Sequence, residues 1–191
     1  MIDIILASAS PRRKQLLEQI GLNVQVIPSG IEEGKPTGTD FPAHVRQMAT
    51  AKARKIATDH PDQMVIGADT LGICEDHPMG KPRDRDHAAE MLTRLSGRWH
   101  DVISGICLIS ASNNIEITDY AQTAVHFFPL SVEEIDDYVK SGEPFDKAGA
   151  YGIQGLGARF VKEIRGCFFN VVGLPLGMVW QYIKSFPEVN R

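Results

Sequence analysis

The spacing of apolar and polar residues changes repeatedly along the chain, and each change marks an element. The apolar run from Ile2 to Ala7 predicts a buried strand, and Ser8-Ala9-Ser10 a turn. Pro11 to Ile20 predicts a helix with Leu16, Leu17 and Ile20 on one face. Ser10 suits its cap, Pro11 its first position and Gly21 its stop. Leu22 to Ile27 predicts a second strand, and Gly30, Gly34, Pro36 and Gly38 make 30–40 a loop. Asp40 then caps a long helix running to about His60. Met64 to Ala68 predicts a short central strand, Asp76 to Asp84 a turn-rich loop, and Asp86 to Ser96 a helix stopped by Gly97. Val102 to Ile109 and Ile115 to Phe128 read as strands joined by a hairpin turn at Asn113-Asn114. Ser131-Val132-Glu133-Glu134 is a capping box that opens a helix to about Ser141. Glycines crowd 142–157, Ala158 to Ile164 resumes strand character, and Leu176 to Ser185 forms a last helix after Pro175.

Strands alternating with helices predict an α/β or α+β fold. The chain shows no repeat, no low-complexity tract and no composition break that would mark a linker. Its 191 residues, 43% of them hydrophobic, suffice for a core without disulfides or metal staples. Twenty Lys and Arg against 24 Asp and Glu give a net charge of -4. That balance argues against a sequence-blind nucleic-acid binder and a polybasic membrane binder, but not against a small anionic ligand held by local cations. Cys74, Cys107 and Cys167 are odd in number and form no CxxC pair, so neither a disulfide framework nor a zinc ribbon is expected. The apolar run after Asp3 is too short for a signal peptide, and no stretch reaches about 18 apolar residues, so a cytoplasmic location is expected.

Five segments carry candidate chemistry. At Ser8-Ala9-Ser10-Pro11-Arg12-Arg13 a strand feeds a serine turn and then a helix start. The helix's first N–H groups and two arginines suit a phosphate, although a capped helix with solvated arginines reads the same way. Lys52 falls on the apolar stripe of Val45, Met48, Ala49 and Ile56, where a lysine either snorkels or meets an anion. Asp69 follows the apolar run Met64–Ala68 and is expected near a strand's carboxyl end. There it could hold a cation, orient water, or merely cap a turn. Gly80-Lys81-Pro82 holds a lysine stiffly but is not a Walker motif. In Lys147–Gly155 the glycines allow close backbone approach, and Gln154 offers both a donor and an acceptor. Glu32-Glu33 could complete an oxygen shell beside a metal. The six histidines lack zinc-ligand spacing, and no Gly-x-Ser-x-Gly elbow is present.

Six stretches follow one another along the chain: Leu6–Arg13, Ala51-Lys52-Ala53, Gly67-Ala68-Asp69-Thr70, Gly80-Lys81-Pro82, Ala150–Gly155 and Asn170–Pro175. Together they resemble the Maf family of nucleoside triphosphate pyrophosphatases. The resemblance implies one domain over residues 1–191 with an α/β fold like that of the inosine triphosphate pyrophosphatases: an elongated mixed sheet, flanking helices and a cleft between two lobes. It implies hydrolysis between the α- and β-phosphates. Thr70 and Gln154 match the dTTP/UTP pattern, as against that of the sister group acting on 7-methyl-GTP; a third reading is a non-catalytic nucleotide-binding regulator of cell division. By the same resemblance Asp69, Lys81, Lys52 and Glu33 are catalytic, and Asp69 and Glu33 hold Mg2+ or Mn2+. Ser8, Ser10, Arg12, Arg13, Thr70 and Gln154 bind substrate. The expected partner is the nucleotide, with no nucleic acid or membrane, and the expected assembly is a homodimer.

Overall fold

Two parallel crossovers, from the first strand to the second and from the second to the third, place one strand on each side of the first. In the computed structural model the described residues are 2–32, 34, 36 and 38–186. Strand β1 (Ile2–Leu6) leads through helix α1 (Pro11–Gln19) to β2 (Leu22–Val26), which pairs parallel with it on one side. Helix α2 (Phe41–Ala57) then carries the chain to β3 (Met64–Cys74), parallel to β1 on its other side. Ligands of open α/β sheets lie beyond strand carboxyl ends where the winding reverses, which here is between β1 and β3.

The remaining strands are β4 (His77–Met79), β5 (Trp99–Ser110), β6 (Ile115–Phe127) and β7 (Val161–Arg165). The mixed sheet has the order β2-β1-β3-β5-β6-β7, with β4 paired to β3. The other helices are α3 (Arg85–Leu95), α4 (Val132–Lys140), α5 (Phe168–Val172) and α6 (Leu176–Ile183). Two compact units divide the chain. The first comprises Met1–Thr70, Ser104–Ala121 and Gly173–Arg191, the second Leu71–Ile103 and Gln122–Val172.

In the first unit α2 packs its buried face, including Val45, Ala49, Ala53 and Ile56, against the sheet, where Ile5, Val65 and Cys107 join the same core cluster. The approach is unusually close because two strand positions have no side chain. A Cβ on Gly67 would sit 2.2 Å from Ala49 O, and one on Gly105 would sit 2.3 Å from Val45 O. In the second unit an aromatic core forms around Phe127, with Tyr151 at 4.7 Å and Phe160 at 5.9 Å between ring centroids.

Most expected elements appear, with their local signals in place. Asp40 accepts from Ala43 N, and Ser131 and Glu134 close the capping box. Ser10 occupies the cap position of α1, but its side chain makes no capping bond. Three expectations change, and one helix lies where none was assigned. The strand beginning at Met64 continues to Cys74, because Leu71-Gly72-Ile73-Cys74 is also buried and extends the ladder beyond the polar Asp69 and Thr70. The loop after it contains β4, turned back by Glu75 and Asp76 at φ 51° and 60°. Residues 156–160 form a 3-10 turn, so the last strand begins at Val161. Helix α5 precedes Gly173, whose φ is 124°.

Candidate active site

Asp69 lies inside β3, not at its carboxyl end as expected. It is nevertheless at a strand terminus of a different kind. β1 pairs with β3 only from Met64 to Ile66, so Asp69 stands beyond the point where β1 stops. There the chain leaves β1 as Ala7–Ser10 and enters α1, which puts the serine turn and the helix start in the same unit as Asp69.

Lys52 is the inward-facing residue of the α2 stripe, and its Nζ donates to Asp69 Oδ1 at 2.6 Å. Both side chains are buried, at 5% and 8% exposure. Two opposite charges this deep require each other, because removing either leaves the other desolvated and uncompensated. The anion that justifies Lys52 on an apolar stripe is therefore Asp69 itself.

Arg13 is also buried, and its guanidinium is a junction. Nε donates to Gly173 O at 2.8 Å, Nη1 to Ser8 Oγ at 2.9 Å and to Ala68 O at 3.0 Å, and Nη2 to Thr70 Oγ1 at 3.0 Å. These bonds tie the serine turn, β3 and the Gly173 turn into one rigid group. Thr70 Oγ1 also lies 2.8 Å from the fully buried Ser104 Oγ and donates to Gly173 O at 3.2 Å. A hydroxyl has one proton and two lone pairs, and with Ser104 donating, all three are engaged within the protein. Ser104 was missed in sequence because it lies inside the apolar run of β5, with nothing local to distinguish it. Arg12, on the same helix, is half-buried.

In the second unit the Gly80-Lys81-Pro82 turn and the glycine-rich segment come together, as Gly149 N donates to Gly80 O at 3.1 Å. Lys81 and Gln154 are exposed, each next to a buried residue, Pro82 and Ile153. Tyr151 anchors the segment: it is buried, and its hydroxyl lies 2.9 Å from His100 Nε2. Burial, with a smaller contribution from His126, pushes the His100 pKa down to about 4. Burial likewise pushes the Tyr151 phenol above its ordinary value.

The structure thus groups Ser8, Arg13, Lys52, Asp69 and Thr70 in the first unit and the segments of Lys81 and Gln154 in the second. Glu33 lies outside the described residues. For a cation, the donor chemistry fits a shared site: with Oδ1 on Lys52, Asp69 Oδ2 has no hydrogen-bond partner among the described residues. Among the described residues no three His, Cys, Asp or Glu side chains converge into a cage. Cations such as Mg2+ are commonly held through one or two carboxylates, substrate phosphates and water instead of an all-protein cage. Cys74, Cys107 and Cys167 form no disulfide in the structure. Among the described residues no helix is long and apolar enough to cross a membrane.

The Maf-like protein family matches residues 3–186. The dTTP/UTP pyrophosphatase of Ruminiclostridium cellulolyticum is 46% identical over 189 residues, covering 98% of each chain. The dTTP/UTP pyrophosphatase of Clostridioides difficile is 45% identical over 190 residues, covering 99% of this chain and 97% of that protein. In structure the chain is similar to the HAM1 protein from Coxiella burnetii, with a TM-score of 0.52 over 97% of this chain and 100% of that one. At 14% identity that likeness speaks to the fold alone.

Proposed function

The chain belongs to the Maf-like protein family, and on that premise we propose that it is a nucleoside triphosphate pyrophosphatase acting on dTTP and UTP, releasing the monophosphate and pyrophosphate. The observation that carries the reading is the buried Lys52–Asp69 pair, at 2.6 Å, beside the serine turn and the start of α1. The near-full-length similarity to dTTP/UTP pyrophosphatases supplies the substrate class.

A nucleoside triphosphate carries about four negative charges, so positioning and charge neutralisation dominate catalysis. In this reading the serine turn offers N–H donors to the phosphates, and Arg12 and Lys81 add positive charge. Arg13 holds the turn in register through Ser8 and Ala68. Lys52 keeps a positive charge next to the reacting phosphorus and fixes Asp69 by its Oδ1. Asp69 then takes the proton of the water that attacks the α-phosphorus, while pyrophosphate leaves. Asp69 and Glu33 would hold a divalent cation, Mg2+ or Mn2+, which when bound neutralises phosphate charge. Gln154 presents an amide that pairs with the O4 and N3–H edge shared by uracil and thymine. Thr70 enters base choice through the Arg13–Ser104–Gly173 cluster that it closes.

Incubation with dTTP, UTP, CTP, GTP, ATP and 7-methyl-GTP, with chromatography of the products, tests the reading. Conversion of dTTP and UTP to monophosphate plus pyrophosphate is expected. Preference for 7-methyl-GTP, or tight nucleotide binding without turnover, would overturn it in favour of a different pyrophosphatase or a regulator.

A further inference from the structure

The glycines of 152–157 invite a reading as room for a ligand's backbone approach, but the structure fills that room with an internal anion. Glu143 Oε1 accepts from Tyr138 Oη at 2.8 Å and from Gly157 N at 3.2 Å, and its Oε2 accepts from Leu156 N at 2.8 Å. Tyr138, fully buried on α4, in turn accepts from Gly152 N at 3.1 Å. One carboxylate and one phenol therefore grip the segment on both sides of Gln154. The glycines are what allow this. A Cβ on Gly155 would lie 2.4 Å from Glu143 Oε2, and one on Gly157 2.9 Å from Tyr138 Oη. Burial alone would raise the Glu143 carboxyl, but the Leu156 and Gly157 N–H groups and the Tyr138 hydroxyl outweigh it, so it sits below its ordinary value.

We propose that Glu143, with Tyr138, is a positioning residue for base selection: it fixes the backbone that carries Gln154, and it acts on substrate choice only through Gln154. This rests on the proposed base-reading role of Gln154. The chemistry requires a carboxylate at 143. Both oxygens accept, so an amide in its place turns an NH2 group towards a donor. An exposed glutamine side chain has wide freedom of its own, and unless its backbone is held it can present its amide to cytosine as readily as to uracil.

The test measures kcat and KM for UTP and CTP in Glu143→Gln, Tyr138→Phe, Gln154→Ala and the double variant Glu143→Gln/Gln154→Ala, with thermal melts confirming that each folds. Glu143→Gln and Tyr138→Phe should each lower the UTP-to-CTP ratio of kcat/KM by about tenfold, the scale of one buried polar interaction. Most of that loss should appear in the KM for UTP, with little change in kcat. The double variant should be no less selective than Gln154→Ala alone, because a residue acting through another shows no additive effect. An unchanged ratio in Glu143→Gln and Tyr138→Phe, beside a lowered ratio in Gln154→Ala, overturns the positioning role and leaves the Gln154 reading standing. An unchanged ratio in Gln154→Ala itself overturns both. Additive losses in the double variant overturn action through Gln154. If Glu143→Gln fails to fold, Tyr138→Phe and its double variant with Gln154→Ala decide the question alone.

Discussion

Replacing Lys52 with Met keeps the buried aliphatic stem and removes the charge. Asp69, whose side chain is 8% exposed, then loses the ammonium 2.6 Å from its Oδ1. Breaking a buried pair from one side costs about 3–5 kcal/mol, because the remaining charge stays desolvated. For a chain of 191 residues, at about 2–4 °C per kcal/mol, the melting temperature should fall by roughly 6–20 °C. Lys52→Met/Asp69→Leu replaces both charges by apolar groups, and such exchanges are often neutral or stabilising. The double variant should therefore recover to within about 1 kcal/mol of the wild type while remaining inactive. Urea unfolding followed by circular dichroism, with pyrophosphate release measured on the same samples, checks both halves. A Lys52→Met protein as stable as the wild type would refute the reasoning, as would a double variant no more stable than the single one.

Other perturbations probe the frame around the site. Gly67→Ala places a Cβ 2.2 Å from Ala49 O and 2.8 Å from Ala53 N, both backbone atoms of α2. It should cost about 3 kcal/mol or more in urea unfolding and reduce turnover as α2 carries Lys52 away. Gly177→Ala, where the added Cβ meets nothing within 4 Å, is the control and should hold or gain stability. His100 has a folded pKa of about 4, below the 6.5 of an unfolded histidine. The unfolded chain therefore binds the extra proton first as pH falls, and stability present above pH 6.5 is lost towards pH 4. The loss should reach roughly 3 kcal/mol, and His100→Gln should flatten that part of the pH profile in urea titrations. An equal pH slope in the variant would contradict this.

What could be read from sequence was local. The Ser10-Pro11 start, the Asp40 cap, the Ser131–Glu134 box and the glycine stops are chemical signals within a few residues of the structure they specify. Lys52 was visible because it broke a helical stripe, although its partner was not. What escaped depends on distant partners or on conformations without a residue signature. The Glu75-Asp76 turn adopts positive φ without glycine, so β4 looked like loop. Asp69-Thr70 interrupts an apolar run, so β3 looked shorter than it is. The junction at Arg13 joins residues up to 160 positions apart, and the Glu143 carboxylate binds backbone N–H groups, which every sequence possesses.

Hydrolysis of UTP in 18O-labelled water, by the wild type and by Asp69→Asn, tests the central claim most directly. Attack on the α-phosphorus with Asp69 as base predicts that the label enters UMP and not pyrophosphate, and that Asp69→Asn slows the reaction by about a hundredfold or more. Label in the released pyrophosphate or in orthophosphate, or an Asp69→Asn protein turning over at the wild-type rate, would contradict it.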